Sequence, residues 1–231
     1  MNFDIDLYPF PPIENASKEG IVAVGGDLSP TRLVSAYSRG IFPWFSDDEP
    51  IMWWSPDPRF VLFPEKLKIS KSMRTLLNKG TFHVTYDSCF RNVIEACSKA
   101  PRKDQDGTWI TNEMIDAYCK LHEQGIAHSV EVWENKNLVG GLYGVSLGSS
   151  FFGESMFSNV SNASKFGFIK LVNRLIENNF ELIDCQVFTE HLKSLGAEDI
   201  NRNDFLNILE GTLEKKSWTG NWGIRKPTSR D

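Results

Sequence analysis

The sequence has little of what several classes of protein require. Its 231 residues carry a net charge of −5, so it lacks the overall basic excess of a general nucleic-acid-binding protein. No stretch approaches the roughly 18 consecutive apolar residues of a membrane-spanning helix. The amino terminus, MNFDIDLYPFPP, has acidic residues and prolines where a secretory signal needs a basic and then an apolar run. We therefore expect a cytoplasmic protein.

Cysteine is also scarce. The four residues, Cys89, Cys97, Cys119 and Cys185, form no CxxC pair, which predicts reduced thiols rather than a disulfide framework. Cys119 and His122 lie three residues apart on a predicted helix, but two ligands do not make a zinc site. Neither a metal nor another cofactor is expected.

What the sequence does contain divides into two parts. Residues 1–63 are rich in proline, glycine and aromatics, and they predict a small α+β domain with a helix at 30–39 and strands near 51–54 and 59–63. Pro64 marks the predicted boundary. Residues 64–231 have clearer hydrophobic periodicity and predict a second, larger domain.

The order of elements in the second part predicts a mixed central sheet. Strands near 129–133, 138–147 and 151–158 follow one another as a meander, and the helix after them leads into LIDCQV (182–187). A strand, a crossover helix and a second strand form a βαβ unit, so LIDCQV is expected to lie parallel to FFGESMF. Ligands gather at the carboxyl ends of such parallel strands.

Three polar residues fall near that end of the sheet. Asp184 and Gln186 occupy positions i and i+2 of one strand, so their side chains are expected to face the same side. Glu154 lies in the neighbouring strand. Acidic residues are depleted in strands, and a buried one needs partners. A solvated strand end is the simple alternative, but the convergence of three polar groups favours a site.

The chain as a whole resembles the leucyl/phenylalanyl-tRNA–protein transferases. The resemblance runs from Gly20 to Asp204 through ordered motifs, namely GGDLSPTRLVSAYSRGIFPWF, WWSPDPRFVL, GTWIT, LVGGLYGVSLG, FFGESMFSNVSNASK and LIDCQV…SLGA. It implies transfer of leucine or phenylalanine, and less readily methionine, from aminoacyl-tRNA to the α-amine of an N-terminal lysine or arginine. The modified protein is thereby marked for N-end rule degradation. It also implies a monomer whose second domain has the acyl-CoA N-acyltransferase fold.

Roles for individual residues follow from the chemistry and from this resemblance. An amide has no titratable proton near neutral pH, so Gln186 is expected to orient the attacking amine or the ester, and Asp184 to polarise it or accept a proton. Glu154 is expected to bind the donor's amino group or the acceptor's cationic side chain. The resemblance implies that the donor side chain is contacted by Leu142, Met156, Phe168 and Ile183. It implies that the terminal adenosine is contacted by Trp44, Trp109 and Tyr118.

A basic run supplies positive charge that the chain as a whole lacks. The segment PEKLKISKSMRTLLNKG (64–80) has five basic residues against one acid. Such a run is usually solvated surface, but opposite an acceptor stem it would neutralise phosphates without reading sequence. The residues expected to contact tRNA are Lys66, Lys68, Lys71 and Arg74.

Three other functions stay open at this point. A CoA-dependent N-acetyltransferase is disfavoured because the turn SNVSNASK has no glycine, whereas pyrophosphate is held by glycine-rich turns at helix starts. A cysteine hydrolase using Cys185 and His191 is disfavoured because Cys185 should face away from Asp184 and Gln186. A non-catalytic tRNA- or degron-binding module would bind its ligands without joining them. The sequence predicts neither the preference between leucine and phenylalanine nor a role for the tail after Glu210.

Overall fold

The computed structural model describes residues 9–101 and 108–224, which form two sheets and the helices around them. The helices are α1 (Pro30–Tyr37), α2 (Lys71–Lys79), α3 (Phe90–Ser98), α4 (Asn112–Glu123), α5 (Ala163–Glu177), α6 (Glu190–Lys193) and α7 (Arg202–Leu213), with 3₁₀ turns at Ile13–Asn15 and Pro64–Lys66. The small sheet has the antiparallel order β1 (Ile21–Val24), β3 (Met52–Trp54), β2 (Phe42–Pro43).

The large sheet has seven strands in the order β10-β4-β9-β8-β7-β6-β5. Their bounds are β4 (Arg59–Leu62), β5 (His83–Tyr86), β6 (Ala127–Glu134), β7 (Asn137–Leu147), β8 (Ser150–Ser158), β9 (Leu182–Gln186) and β10 (Glu198–Ile200). Strands β8 and β9 are parallel and every other neighbouring pair is antiparallel. The predicted meander, the crossover helix and the mixed sheet are confirmed.

Strand β4 joins the end of the first predicted domain to the large sheet. It pairs with β9 on one side and β10 on the other, rather than with the small sheet. The predicted boundary after residue 63 therefore does not coincide with the division between the sheets, which lies between Trp54 and Arg59. The proline-rich turn between these two residues gives no sign in the sequence that β4 pairs with the large sheet.

Side chains cap the amino-terminal ends of α1 and α4. The side chains of Ser29 and Thr111 accept hydrogen bonds from the backbone N–H of Arg32 and Met114, at 3.4 and 3.2 Å. Gly125 follows α4 in the left-handed region, with φ of +70°. These caps satisfy backbone groups that a helix end leaves without partners, and they fix where α1 and α4 begin.

Two apolar cores lie against the large sheet. One includes residues of α1, α3, α4 and α7, and the other is built around α5. Neighbouring residues of β8 enter different cores, Phe152 the first and Phe151 the second, because successive side chains of a strand point to opposite faces. No helix in the described parts of the chain is long and apolar enough to cross a bilayer.

The segment after α7 is part of the second core. Trp222 is fully buried, stacks on His128 with ring centroids 3.8 Å apart, and donates its backbone N–H to Asp87 at 2.6 Å. Trp218 stacks on its other side at 4.5 Å. The tail, for which the sequence predicted no role, thus anchors the chain beyond α7 to the sheet.

The Gly140–Gly141 pair in β7 is required by a close approach. The register with β6 shifts next to Gly140, where Val139 is the extra residue between two pairs, and this is the signature of a β-bulge. A Cβ on Gly140 would lie 2.7 Å from the Cβ of Ala163, the first residue of α5. The crossover helix can therefore pack on β7 only if residue 140 has no side chain.

Gly140→Ala is expected to lower the free energy of unfolding by about 1–3 kcal/mol, because β7 and α5 must separate to admit the methyl group. The matched control is Gly211→Ala on α7, where a Cβ would meet nothing within 4 Å. There the same substitution should raise stability by about 0.5–1 kcal/mol. Urea denaturation of the three proteins measures both effects. Equal stability of the wild type and Gly140→Ala would contradict the close packing described.

Candidate active site

A pocket opens where β8 and β9 separate. The last residues that pair between these parallel strands are Phe152 and Asp184, and Glu154 and Gln186 lie just beyond that pair. The cavity has a volume of about 530 Å³. It lies at the carboxyl ends of the two parallel strands, which is where open mixed sheets bind ligands.

Glu154 stands at the inner wall of this pocket on a β-bulge. Strand β7 pairs Tyr143 with Ser155 and Gly144 with Gly153, so Glu154 is the extra residue between two pairs. Bulges of this kind redirect a side chain and are common beside active sites. The bulge explains how an acidic residue is accommodated inside a strand.

The Glu154 carboxylate is buried and accepts three hydrogen bonds. Tyr37 of α1 donates to Oε1 at 2.7 Å, and Tyr118 of α4 donates to Oε2 at 3.0 Å. The Gln186 side-chain amide also donates to Oε1, at 2.8 Å. The two tyrosine hydroxyls are hydrogen-bonded to each other as well. The carboxylate therefore ties together α1, α4, β8 and β9.

Burial governs the protonation of this cluster. It raises the pKa of Glu154 from 4.5 to about 7, although the hydrogen bonds from Tyr37, Tyr118 and Gln186 act in the opposite direction. Burial likewise raises the pKa of both tyrosines well above its ordinary value. Near neutral pH, the tyrosines thus remain donors while Glu154 can gain or lose a proton.

Asp184 is bound to Arg59 rather than exposed to the pocket. Arg59 Nε donates to Oδ1 at 2.8 Å and Nη2 donates to Oδ2 at 2.6 Å, and both side chains are fully buried. Oδ1 also accepts the backbone N–H of Gln186 at 2.9 Å. Asp184 is absent from the pocket lining, so no part of its carboxylate faces a bound substrate directly.

Asp184 and Gln186 are directed to the same side of β9, as strand alternation predicts. Arg59, the partner of Asp184, lies against Phe42 and Phe205 of the first core. Glu154, the partner of Gln186, is bound by two tyrosines of that same core.

Gln186 has a φ of +65°, in the left-handed region, and the register with β4 shifts between Phe60 and Val61. The regular strand backbone therefore ends at Gln186, whose side chain is directed to the pocket and to Glu154. The predicted proximity of the three polar residues holds, but Gln186 reaches Asp184 through its backbone.

Cys185 lines the pocket from the opposite side of β9, because it belongs to the second core while the Arg59 partner of Asp184 lies against the first. This is the placement that strand alternation predicts. Burial raises the pKa of its thiol far above the ordinary value, and its sulfur contacts the carbonyl oxygen of Ile183 at 3.9 Å. A cysteine nucleophile needs the opposite shift, toward a thiolate at neutral pH. The chemistry of the thiol therefore argues against a cysteine hydrolase, and so does the placement of Cys185 on the side of β9 away from Asp184.

Six of the seven residues predicted to contact the donor line the pocket, namely Trp44, Trp109, Leu142, Met156, Phe168 and Ile183. Tyr118 is the exception. It is fully buried beneath Glu154 and presents no face on which a base could stack. The resemblance correctly placed Tyr118 next to the site, but it did not predict that the ring is buried and out of reach of a base.

Sequence reasoning did not select several residues that also line the pocket, among them Phe42, Phe151, Thr189 and Leu192. His191 lines it too, and had been considered only as a partner of Cys185. Burial lowers the pKa of His191, which favours a neutral imidazole in the pocket wall. Its place in α6, the short helix that follows the loop after β9, was the available signal.

The basic segment lies beside the pocket. Lys68 donates its backbone N–H to Leu195 O at 2.8 Å, which fixes this segment against the residues that follow Leu192 of the pocket wall. Lys68, Lys71 and Arg74 are exposed. Lys66 forms an ion pair with Glu198, so part of its charge is already offset.

Across residues 9–101 and 108–224, no three His, Cys, Asp or Glu side chains come together as metal ligands would.

Comparison with known proteins identifies the family. Its model, leucyl/phenylalanyl-tRNA protein transferase, matches residues 61–210, and the model of the family's N-terminal domain matches residues 26–57. The chain belongs to the leucyl/phenylalanyl-tRNA–protein transferase family. As a member of that family it is an aminoacyltransferase, which confirms the resemblance seen in the motifs.

Individual transferases of this family are similar over nearly their whole length. The one from Flavobacterium johnsoniae is 58% identical over 205 residues, which cover 89% of this chain and 96% of that protein. The one from Nitrosospira multiformis is 59% identical over 203 residues, which cover 87% of each.

Among solved structures, a GCN5-related N-acetyltransferase from Kribbella flavida has a TM-score of 0.39 at 8% identity, over 74% of this chain and 60% of that one. A score at this level does not support an inference about function.

The raised pKa of Glu154 predicts a pH-dependent stability. The unfolded chain loses this proton near pH 4.5, whereas the folded protein keeps it to about pH 7. Between these values folding takes up a proton, so the free energy of unfolding should fall as pH rises, by roughly 3 kcal/mol in total at about 1.4 kcal/mol per pKa unit. Glu154→Gln removes this dependence.

Urea denaturation of the wild type and Glu154→Gln at pH 5 and pH 7.5 measures the difference. Their stabilities should diverge in favour of the variant at the higher pH. A difference that stays constant between the two pH values would show that Glu154 titrates in the folded protein as it does in the unfolded chain.

Proposed function

We propose that this protein transfers leucine or phenylalanine, and less readily methionine, from aminoacyl-tRNA to the α-amine of an N-terminal lysine or arginine. The modified protein would then be degraded by the N-end rule pathway. The observation that carries the proposal is the pocket itself, which has an apolar end and a polar end. Leu142, Met156, Phe168 and Ile183 line it together with Glu154 and Gln186.

The reaction is the aminolysis of an ester. The acceptor nitrogen attacks the ester carbonyl carbon, a C–N bond forms, and the C–O bond to the ribose of the terminal adenosine breaks. The amine loses a proton and the departing ribose hydroxyl gains one. An α-amine has a pKa near 8, so roughly a tenth is neutral and able to attack at pH 7. Holding the amine and carbonyl in register can supply on the order of 7–11 kcal/mol.

Glu154 is the residue that the geometry favours for proton or ammonium binding. Its carboxylate lines the pocket, and its pKa of about 7 suits a group that exchanges protons at neutral pH. It can bind an ammonium group as the carboxylate, or accept a proton from the attacking amine. Tyr37 and Tyr118 hold it in one orientation for either role.

Gln186 and Asp184 have different roles in the proposed reaction. The Gln186 amide faces the pocket and can orient the amine or the ester, as the sequence predicted. Both oxygens of Asp184 are engaged by Arg59, and one of them also by the Gln186 backbone. We therefore assign Asp184 to holding Gln186, and not to accepting the proton itself.

The apolar end of the pocket suits a relaxed preference among large apolar side chains. Such pockets discriminate by only about 1–3 kcal/mol per methylene. Met156 can adapt its shape because its side chain is unbranched and flexible. Trp44 and Trp109 line the same cavity and offer aromatic faces for the terminal adenosine, where base stacking is worth about 1–3 kcal/mol.

The exposed basic residues beside the pocket are suited to the tRNA backbone. Lys68, Lys71 and Arg74 would meet phosphates without reading sequence, with Lys66 contributing less because Glu198 already pairs with it. A monomer in the cytoplasm, where charged tRNA and newly exposed protein amino termini occur together, is part of the same proposal.

The direct test is a transfer assay. Purified protein is incubated with leucine-charged tRNA and two peptides that differ only at residue 1, arginine in one and alanine in the other. Mass spectrometry should find a single added leucine on the arginine peptide alone. A parallel reaction with acetyl-CoA in place of tRNA should leave both peptides unchanged.

Acetylation of a peptide would instead support the CoA-dependent alternative. Bound charged tRNA with neither peptide modified would support the non-catalytic binding module. Leucine on both peptides would keep the transferase reaction but contradict the acceptor rule.

The role of the basic segment predicts a specific salt dependence. Lys71→Ala combined with Arg74→Ala should reduce the slope of log affinity against log salt by roughly 2, since each phosphate contact in a duplex contributes about 0.9. The matched control is Lys136→Ala, an exposed lysine in the β6–β7 turn, which should leave the slope unchanged. Filter binding of tRNA between 50 and 200 mM salt, roughly the range over which such contacts weaken, makes the measurement. Equal slopes for all three proteins would remove this helix from the tRNA interface.

A further inference from the structure

The Arg59–Asp184 ion pair lies in the interior of the protein. Arg59 belongs to β4 and Asp184 to β9, and both side chains are fully buried. The guanidinium also lies between two aromatic rings, 4.8 Å from the centroid of Phe42 and 4.5 Å from that of Phe205. Burying two charges is costly and replacing such pairs with apolar residues is often neutral or stabilising, so stability alone does not explain the pair.

The pair reaches the pocket by two routes. Arg59 lies on Phe42, which lines the cavity, and Asp184 contacts Gln186. Oδ1 of Asp184 accepts from Arg59 Nε at 2.8 Å and from the backbone N–H of Gln186 at 2.9 Å. Gln186 has a φ of +65°, a conformation that costs a residue with a side chain on the order of 1–3 kcal/mol unless its surroundings enforce it. The hydrogen bond to Asp184 is one contact that enforces it.

The conformation of Gln186 decides where its side chain points. With the φ and ψ of a regular strand, the Cα–Cβ bond of residue 186 would point in a different direction. In the left-handed conformation, its amide lies 2.8 Å from Glu154 Oε1 and lines the cavity. The backbone at this one residue thus determines whether the polar end of the pocket is assembled.

We propose that Arg59 is a positioning residue for the transfer reaction. It holds Asp184 in the orientation that pins the Gln186 backbone, and thereby aims the Gln186 amide at Glu154 and the substrate. This inference rests on the proposed function, since it assigns Arg59 to the same site. It also explains why residue 59 is an arginine. The planar guanidinium donates two parallel hydrogen bonds to one carboxylate, which the single ammonium of lysine cannot do.

A double-mutant cycle tests the inference. Wild type, Arg59→Lys, Gln186→Ala and the double variant are compared under single-turnover conditions, which separate leucyl-tRNA binding from the chemical step. Arg59→Lys should slow the chemical step by about 10²-fold, the loss expected from a misplaced group, with tRNA affinity little changed. In the Gln186→Ala background the same substitution should have almost no effect, because Arg59 then has no side chain to position.

A matched control addresses general damage to the packing around β4. Arg202, at the start of α7, donates to Ser55 O at 2.7 Å just upstream of β4 and does not contact Asp184. Arg202→Lys should therefore keep the wild-type rate of the chemical step. Thermal unfolding of every variant verifies that each is folded at the assay temperature.

Two results would overturn the inference while leaving the transferase reaction in place. One is an equal loss of rate from Arg59→Lys with and without Gln186, which would indicate a structural role alone. The other is an unchanged rate in Arg59→Lys. If that variant does not fold, Asp184→Asn replaces it in the same cycle, with the same outcomes deciding. A wild-type protein that transfers no leucine overturns the proposed function, and this inference falls with it.

Discussion

The organisation of the site depends on the ion pair between Arg59 and Asp184. Two fully buried charges are tolerated only when each is matched by the other and by further hydrogen bonds. Here the additional hydrogen bond comes from the backbone of Gln186, at the end of β9. The electrostatic requirement of the interior and the geometry of the pocket are therefore met by the same contact, and neither can change without the other.

Glu154 draws on a wider set of elements than this ion pair. Its donors come from α1, α4 and β9, while its own position comes from a bulge in β8. The elements around the small sheet and those of the large sheet must both be in place before this carboxylate is surrounded. The same enclosure that requires donors also removes water, and this raises the pKa of Glu154 toward neutrality.

Much of this arrangement could be predicted because it follows local rules. Capping residues set the start of α1 and α4, and a strand–helix–strand order requires a parallel pair. Glu154 was selected because acids are rare in strands, and the predicted apolar set lines one cavity because its members lie on adjacent strands and the crossover helix. The features that depend on long-range packing were harder to predict from the sequence. A left-handed Gln186 has no sequence signature, the burial of Tyr118 depends on how α4 packs, and Arg59 resembles a surface charge in the motif SPDPRF.

The central claim is that the Arg59–Asp184 pair imposes the conformation of Gln186. A crystal structure of Asp184→Asn tests it most directly, since asparagine matches aspartate in size but cannot pair with a guanidinium as a charge. The predicted result is that residue 186 leaves the left-handed region and its amide separates from Glu154, while the apolar pocket wall keeps its positions. A Gln186 that keeps both its φ and its contact with Glu154 in that variant would contradict the account.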